Sequence, residues 1–547
     1  MASPSEPAAW ATGPLRPRFL LALAAAAAVL LLSGPLPVLD EESYLEIGAA
    51  LDPLRPYDWW RPWPPWGSGR EPDAFVYAHP PGFLLWVALW LRLAGGAFGG
   101  PEPGPALIWP LKVALAMPWA GLWGWAVGRL CERWSPRPAL SAAAWISAPV
   151  SLLVLQRGLM PDLMATALAT AAATCWIEGR ETAEANARWR WGAGAGALLA
   201  AATLTKYPAG LVGLALLADA RRPGRSLLGP FVISALGLFL LVEGYLWLAY
   251  GRPHLVEVLS RAGELPRGPL GGRALGLLSR LPLALLPLPL LWVAPARRWA
   301  IGALLGGLAC GFGLPEGSEG PLVVQVFVWS ATGGALCTLL GAALSRAEAR
   351  ADRVLAQWAL LVVIGVLVGH NYVAPRYLAG AVAPLALLLG RAGAGLPAAA
   401  LAGWSAVGLQ LALGLGIGAA ERALAQAADE GARWAADSQA APGQFTGEWT
   451  FRWRMRQRGW SFWDGAAPLP AGATLAAPTH TSPAALPAGL QPGPRRTFGA
   501  AALRVVDAPL GVGLYSETIG AQPLGWRPGP AEEVQLHVVL DPLGGPR

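Results

Sequence analysis

Three consecutive acidic residues are the first candidates for chemistry in this sequence. Asp40, Glu41 and Glu42 follow an apolar run that begins near Phe19. Neighbouring carboxylates repel one another, which favours proton uptake by one of them, and a carboxylate that accepts a proton in a reaction is a general base. The alternative interpretation is an acidic helix end that is solvated at the membrane interface. The triplet by itself leaves open which of the three residues would be the base.

Two cations and a second acidic centre interrupt other apolar segments. Lys206 would give a point charge for a phosphate, whereas a lysine that snorkels to the interface is the alternative. Arg376, which precedes Tyr377, offers a planar donor fork for a phosphate or a carboxylate, and an interfacial anchor is its alternative. Asp162 is either a functional carboxylate or the N-cap of a helix that begins at Leu163.

The composition describes the environment that must position these residues. The chain has 547 residues, of which 54% are hydrophobic and 14% are charged, and its mean hydropathy is +0.43. A soluble protein carries roughly 25% charged residues and disorder requires low hydrophobicity, so both classes are excluded. Apolar runs of roughly 17–25 residues, the length of a spanning helix, recur along residues 19–419. We therefore predict an all-α polytopic membrane protein.

Arginine-rich loops predict the orientation of these helices. The net charge of +7 comes almost entirely from arginine, because Lys112 and Lys206 are the only lysines. Short basic loops belong on the cytoplasmic side, and this accounts for the charge without a nucleic acid as partner. The resulting topology has about thirteen transmembrane helices and places both Asp40 and the carboxyl-terminal tail outside.

Most of the polar residues near membrane depth fall on the outer face in this topology. They are Asp40, Glu41, Glu42, His79, Arg157, Asp162, Lys206, His370 and Arg376. A charge at that depth costs several kcal/mol unless it is paired or faces a wet cavity, so the group predicts a polar cavity that opens outwards. Lys112 and Glu243 are isolated charges in or near helix ends, and we assign them no role.

Three regions are predicted along the chain. Residues 1–18 form a cytoplasmic amino terminus, residues 19–418 form a transmembrane domain with an outer loop at 40–105, and residues 419–547 form a small extracytoplasmic α/β domain. Residues 82–98 are expected to form a surface or re-entrant helix rather than a span. The four cysteines have neither CxxC nor Cys/His spacing, so we predict no zinc site and no disulfide framework.

The order of the motifs resembles that of the GT-C glycosyltransferases of the family 39 type. This group includes the dolichyl-phosphate-mannose protein O-mannosyltransferases and, close to them, the bacterial aminoarabinose transferase that acts on lipid A. The motifs are Asp40-Glu41 with Tyr44, His79-Pro80-Pro81, Arg157 with Pro161-Asp162, Leu204-Thr205-Lys206-Tyr207-Pro208 and Pro375-Arg376-Tyr377-Leu378. The sequence departs from the pattern at Gly82, where relatives usually have a larger apolar residue.

The resemblance implies a fold, a reaction and a set of roles. The fold is a helical bundle with a cavity at the outer leaflet, and the reaction transfers a sugar from a polyprenyl phosphate, with inversion, to an acceptor outside the cytoplasm. Catalytic roles fall on Asp40, as the base, and on Glu41. The donor phosphate would be bound by Lys206, Arg376 and Tyr377, and the substrates by Tyr44, His79, Arg157 and Asp162.

The same resemblance also implies where the protein is located and what it binds. The protein would be a multi-pass component of the bacterial inner membrane, with its active site and carboxyl-terminal domain on the extracytoplasmic side. Its partners would be membrane lipids, the polyprenyl-phosphate sugar and an acceptor that is a glycan, a lipid or a protein. No cofactor is required, although a divalent cation stays an open alternative. The competing functional hypothesis is a transporter or flippase for a lipid-linked or anionic solute.

Overall fold

The structure is a computed structural model that describes most of the chain. The described residues are 36, 41–58, 79–94, 105–220, 225–264, 268–285, 296–313, 321–345, 350–370, 372–392, 397–463, 468–480, 486, 489–516 and 519–540. Asp40 lies outside these residues, and so does the first predicted span, 19–39, except for Leu36.

Three helices form the amino-terminal part of the described chain. They are α1 (Glu41–Ala50), α2 (Pro81–Leu93) and α3 (Pro105–Trp134). Pro81 begins α2 because its fixed φ suits the first helical turn, where no amide proton is needed. Tyr44 of α1 packs edge to face against Phe83 of α2, with ring centroids 5.3 Å apart. The observed α2 has 13 residues and lies within the segment for which a surface or re-entrant helix was predicted.

Six helices follow in the described chain up to residue 250. They are α4 (Pro138–Ser147), α5 (Pro149–Leu155), α6 (Pro161–Glu181), α7 (Ala185–Thr203), α8 (Leu211–Ala220) and α9 (Arg225–Tyr250). The axes of α4 and α5 meet at 61°. Their break falls at Ala148, which takes φ −55° and ψ 130° because the proline after it disfavours helical geometry. A 3-10 turn, Tyr207–Gly210, connects α7 to α8.

The remaining helices of the described transmembrane region pack closely through small residues. They are α10 (His254–Glu264), α11 (Leu270–Ala284), α12 (Ala296–Gly313), α13 (Pro321–Ser345), α14 (Arg350–Gly369), α15 (Ala379–Ala392) and α16 (Pro397–Asp437), with a 3-10 turn at Pro375–Leu378 before α15. A Cβ on Gly333 would lie only 2.0 Å from the carbonyl oxygen of Leu278. Glycine therefore permits the approach of α13 to α11, as small residues do between membrane helices.

Three helices within the described ranges are long and apolar enough to cross a membrane. They contain the segments Leu227–Tyr250, Arg350–Gly369 and Leu401–Asp437, and the bent pair of α4 and α5 meets the same criteria when it is taken as one span. The mostly helical fold and its apolar helices confirm the predicted fold class in this coarser form. The total of about thirteen spans stays a prediction.

A small sheet forms most of the carboxyl-terminal region. Its strands are β1 (Gln444–Phe445), β2 (Ser461–Phe462), β3 (Thr474–Pro478), β4 (Leu490–Phe498) and β9 (Glu532–Val539), in the order β2-β1-β3-β9-β4. Strand β1 is parallel to β2 and β3, whereas β9 is antiparallel to β3 and β4. Side chains alternate across β9, so Val534 and Leu536 are buried in one core with Ala428 and Ala432 of α16.

Short elements complete this region and confirm its predicted α/β character. They are α17 (Trp449–Gln457), β5 (Ala501–Arg504), β6 (Val506–Asp507), β7 (Val512–Gly513) and β8 (Gly525–Gly529). Helix α16 continues without a break to Asp437, so the last predicted span and the first polar stretch of the tail form one helix.

The carboxyl-terminal region docks on the helical bundle at two places. Leu514 and Tyr515 belong to the same buried core as the transmembrane helices. Arg280 of α11, which is fully buried, donates hydrogen bonds to the carbonyl oxygens of Gly513 and Gly520, the latter at 2.9 Å. Residues such as Leu514 and Tyr515 are therefore part of the bundle's core as well as of the carboxyl-terminal region.

Helix α17 provides the second contact between the two regions. Arg456 lies 3.2 Å from Glu46 of α1, and Arg452 lies 3.8 Å from Glu42. The acidic amino-terminal helix is thus held between the bundle and the carboxyl-terminal domain.

Candidate functional site

Three charged side chains from three separate elements meet in the transmembrane region. The Nζ atom of Lys206 lies 2.5 Å from Oδ1 of Asp162, and the Nε atom of Arg376 lies 4.0 Å from Oδ2 of the same carboxylate. All three side chains are at most about a tenth exposed. We call this group, together with His79, His370, Tyr372 and Tyr377, the cationic cluster.

Prolines explain why these residues lie where helices begin. Pro161 starts α6, so Asp162 lies in the first turn and is not the N-cap, a position that Met160 holds. Lys206 directly precedes the 3-10 turn Tyr207–Gly210, which contains a proline at its second position. Pro375 starts the other 3-10 turn and is followed by Arg376. Each charge therefore leaves the backbone at a break between apolar segments, and the three side chains meet there.

Aromatic rings support the two cations. Lys206 Nζ lies 4.5 Å from the ring centroid of Tyr377, and the guanidinium carbon of Arg376 lies 5.2 Å from the same centroid. His370 stacks on Tyr377 with centroids 4.0 Å apart. The hydroxyl of Tyr377 donates to that of Tyr372 at 2.8 Å. Tyr377 is thus a shared platform for both cations.

The His-Pro-Pro segment is attached to the same place. The amide of Gly82 donates to the carbonyl of Leu204 at 3.0 Å, just before Lys206 in the chain. A Cβ on Gly82 would lie 2.7 Å from that carbonyl oxygen. Glycine is therefore needed for the close approach, which explains the departure from the larger apolar residue of the family pattern. The ring of His79 lies 6.0 Å from that of Tyr44.

The two histidines of the cluster are neutral at physiological pH. Burial, with the positive charge of Lys206, lowers the pKa of His79 to about 3. Burial and the charge of Lys206 also lower the pKa of His370 to about 3. Among the described residues of the cluster, the charged side chains are therefore Lys206, Arg376 and Asp162. Two cations beside an aromatic platform suit a small anion such as a phosphate.

A second buried group contains as many negative as positive charges. Lys112 Nζ lies 2.6 Å from Oε2 of Glu41, and both side chains are at most 1% exposed. Arg157 Nη2 donates to Oε1 of Glu421 at 2.6 Å and to the hydroxyl of Tyr515 at 2.7 Å. We call these five residues the paired network. Glu41, Lys112, Arg157 and Glu421 line a cavity of about 10 Å³, close to the smallest space that holds one water molecule.

The predicted site residues divide between these two groups. The cationic cluster brings together Asp162, Lys206, Arg376, Tyr377 and His79, with Tyr44 adjoining it. The structure places Glu41 and Arg157 in the paired network instead. Helix α1 connects the groups, because Glu41 lies in one and Tyr44 contacts the other. Asp40, which precedes this helix, lies outside the described residues.

Several residues of these groups were missed by the sequence analysis. Lys112 was assigned no role, although a rare lysine within an apolar helix is a signal for a buried partner. Glu243 was also set aside, yet it accepts a hydrogen bond from the hydroxyl of Tyr207 at 2.7 Å, next to Lys206. Glu421 and Tyr515 carried no local signal, because their partner Arg157 is 264 and 358 residues away along the chain.

No described group of three His, Cys, Asp or Glu side chains is arranged to hold a metal ion. The described cysteines are all free thiols.

Fold and cluster together define a helical membrane protein with a buried, positively charged polar site. A family model described as dolichyl-phosphate-mannose-protein mannosyltransferase matches residues 117–222, a range that contains both Asp162 and Lys206. This match confirms the resemblance to the GT-C glycosyltransferases that the motifs predicted. The chain is thus similar to membrane-bound glycosyltransferases of this type.

Two solved structures are similar over most of the chain. One is ArnT from Cupriavidus metallidurans in the apo state, with 16% identity and a TM-score of 0.41 over 84% of this chain and 92% of that chain. The other is the apo oligosaccharyltransferase of Archaeoglobus fulgidus, with 13% identity and a TM-score of 0.44 over 83% of this chain and 65% of that one. No curated protein matches the sequence.

Proposed function

We propose that the protein transfers a sugar from a polyprenyl-phosphate donor to an extracytoplasmic acceptor, with inversion at the anomeric carbon. The observation that carries the proposal is that Lys206 and Arg376 converge from separate parts of the chain in the cationic cluster. Both cations lie beside the buried carboxylate of Asp162 and on the ring of Tyr377, where a phosphate could approach them together. The match of the mannosyltransferase family model across Asp162 and Lys206 supports the same substrate class.

The proposed reaction is a single displacement. The acceptor hydroxyl attacks the anomeric carbon as Asp40 takes its proton, and the bond between that carbon and the phosphate oxygen breaks. The bonding electrons leave with the polyprenyl phosphate. Lys206 and Arg376 stabilise the negative charge that grows on this leaving group. Phosphate is a good leaving group, so the scheme needs neither a general acid nor a divalent cation.

The charge of the cluster suits this change. A sugar phosphodiester carries one negative charge before reaction. The phosphate monoester that leaves carries about −1.5 to −2 at neutral pH. Stabilisation therefore increases as the bond breaks, and an interaction that is stronger in the transition state than in the ground state accelerates the reaction. Tyr377 supports both cations, and Asp162 holds Lys206 in place.

The surroundings of the other two acidic residues support Asp40 as the base. Glu41 lies 2.6 Å from Lys112, and Glu42 lies 3.8 Å from Arg452. Each of these two carboxylates already faces a cation of the protein. We assign Glu41 to orienting the acceptor side, and we assign Tyr44, His79, Arg157 and Asp162 to the substrate-binding walls.

The proposed setting is the bacterial inner membrane, with the site and the carboxyl-terminal domain on the extracytoplasmic side. The arginine-rich loops support this orientation. Membrane lipids surround the bundle, and the acceptor is a glycan, a lipid or a protein.

A transfer assay tests the proposal. Purified protein in nanodiscs is given radiolabelled polyprenyl-phosphate sugars and a membrane extract as the source of acceptor. Wild type is compared with Asp40→Asn and with a matched control, Asp58→Asn, which makes the same change at an exposed carboxylate beside Arg55. We expect label in a new product with wild type and Asp58→Asn only.

Two other results would change the assignment. Equal transfer by Asp40→Asn would move the base to Glu41 or Glu42. Tight binding of the lipid donor without transfer by any form, across a broad panel of donors and acceptors, would contradict the transferase and favour a transporter or flippase.

A further inference from the structure

Tyr515 is a residue of the carboxyl-terminal domain that lies inside the transmembrane core. It is only 4% exposed, and its ring packs edge to face on Trp449 with centroids 5.8 Å apart. Leu514 beside it is fully buried in the core that the bundle helices form. The two hydrogen bonds from Arg280 to Gly513 and Gly520 hold this segment in place on either side of Tyr515.

The polar end of Tyr515 meets a charged residue of the bundle. Its hydroxyl accepts a hydrogen bond from Arg157 Nη2 at 2.7 Å, and its ring centroid lies 5.1 Å from the guanidinium carbon. The same Nη2 atom donates to Glu421 at 2.6 Å. Tyr515 therefore determines both the position and the plane of the guanidinium that Glu421 binds.

Glu421 is in turn next to the acidic helix. Glu41, Lys112, Arg157 and Glu421 adjoin one small cavity, and the charges of Glu41 and Lys112 act directly on Glu421. Each of these side chains is at most 4% exposed. Water does not screen charges at these buried positions, so a shift of Arg157 changes the electrostatic force on Glu41.

We infer that Tyr515 is a positioning residue for the acidic face of the active site, and that the carboxyl-terminal domain completes this site. By its contacts with Arg157, Tyr515 keeps Glu421 and Glu41 in place, and Glu41 directly follows the proposed base. This inference rests on the proposed glycosyl transfer. Under this inference the bundle alone binds the donor phosphate. The bundle and the carboxyl-terminal domain together place the acceptor and the base.

Tyr515→Phe is the sharpest test because it removes only the hydroxyl. The ring remains to pack on Trp449 and under Arg157. The matched control is Tyr245→Phe, which removes the hydroxyl of an exposed tyrosine whose partner is the carbonyl of Leu54. Both variants are assayed as full-length protein in nanodiscs for kcat, for KM of the lipid donor and for Tm.

We expect Tyr515→Phe to lower kcat roughly tenfold or more, because a hydrogen bond to a charged group is lost from a buried site. The KM for the donor and the Tm should stay close to those of wild type, since the cationic cluster is untouched. Tyr245→Phe should match wild type in all three measurements.

Each other outcome overturns the inference. Normal kcat in Tyr515→Phe would show that the hydroxyl has no positioning role. A fall in Tm together with a rise in the donor KM would show a role in folding only. Absence of transfer by wild type would remove the proposed function and this inference with it, whereas wild-type activity with a normal Tyr515→Phe would remove the inference alone.

Discussion

The cationic cluster and the paired network are both buried, but they differ in how their charges are balanced. In the paired network Lys112 faces Glu41 and Arg157 faces Glu421, so each cation has its own carboxylate. In the cationic cluster, the described residues provide a single carboxylate, Asp162, for two cations.

This difference predicts different effects when a cation is removed. A buried charge is costly, and a matched partner offsets that cost. In the paired network, loss of either cation leaves a buried carboxylate without the cation that faces it. In the cationic cluster Asp162 lies beside two cations, so loss of Lys206 still leaves Arg376 beside it. Removal of a cation should therefore lower stability more in the paired network and activity more in the cationic cluster.

The largest effect is expected when Lys112 is replaced. Lys112→Met leaves the carboxylate of Glu41 buried beside an apolar chain, and loss of one partner of a buried pair costs about 3–5 kcal/mol. Denaturant unfolding in detergent micelles measures the loss. The double variant Lys112→Met/Glu41→Gln should recover much of the stability because it removes both charges. Equal stability of the single and double variants would contradict the pairing.

Replacement of Lys206 should lower activity more than stability, and its effect is the next largest. Lys206→Met leaves Arg376 beside Asp162, so the cluster becomes neutral and the loss of stability should be smaller than for Lys112→Met. Its kcat for sugar transfer should fall about 10²–10³-fold, the range for removal of one group that stabilises a developing anion. Arg458→Ala, at an exposed ion pair with Asp437, is the control and should retain activity. Retained transfer by Lys206→Met would disprove the assignment of the phosphate site.

The same difference explains what the sequence could predict. Asp162, Lys206 and Arg376 were predicted because each is a charge among apolar segments, which is a local signal, and the resemblance to the GT-C motifs implied their roles. Glu41 and Arg157 of the paired network were also predicted as site residues, but the contacts within the network were not, since Tyr515 reaches Arg157 from 358 residues away. An ion pair between residues that are distant in the sequence cannot be recognised from the residues next to either partner in the chain.

The fold likewise has features that the local sequence predicts and features that depend on contacts between distant residues. Apolar runs and basic loops predicted a helical membrane protein, and alternating short runs predicted the outer α/β region. The position of Leu514 and Tyr515 in the core of the bundle was not predicted, because only distant contacts such as those of Arg280 bring this part of the chain there. The boundary near residue 419 falls inside α16, where a helix continues from an apolar into a polar sequence.

Gly82 tests whether the His-Pro-Pro segment must lie against the cationic cluster. A methyl group in Gly82→Ala would meet the carbonyl of Leu204 at 2.7 Å, so the segment must shift. Such overpacking costs about 1–3 kcal/mol. We expect lower stability and a higher KM for the donor, measured by thermal unfolding and the transfer assay. Gly229→Ala is the control because no atom outside its own helix lies within 4 Å of the added carbon. Equal stability and an equal donor KM in the two variants would show that the His-Pro-Pro segment need not lie against the cationic cluster.

The smallest effect concerns a histidine with a carboxylate partner. Burial alone would lower the pKa of His480, but the carboxylate of Asp507, whose Oδ1 lies 3.3 Å from Nδ1, and the charge of Glu532 outweigh it and raise that pKa above the ordinary value of 6.5. The folded state therefore binds a proton more tightly than the unfolded state. This contribution to stability is present below pH 6.5 and is lost as the pH rises through the raised pKa.

His79 should behave differently because no net negative charge stabilises its protonated form. Its pKa of about 3 keeps it neutral in the folded state from pH 6.5 to 8.5. An unfolded histidine is half protonated at pH 6.5 and neutral at pH 8.5, so His79 makes folding slightly more favourable at the higher pH and does not cause a decline. We expect His480→Gln to remove a decline in Tm of roughly 1–2 °C between these two pH values, whereas His79→Gln should leave the decline in place. Thermal unfolding of the three forms at pH 6.5 and 8.5 measures this. A decline that vanishes in His79→Gln would mean that the cationic cluster contains a titrating group, and the count of its charges would then be wrong.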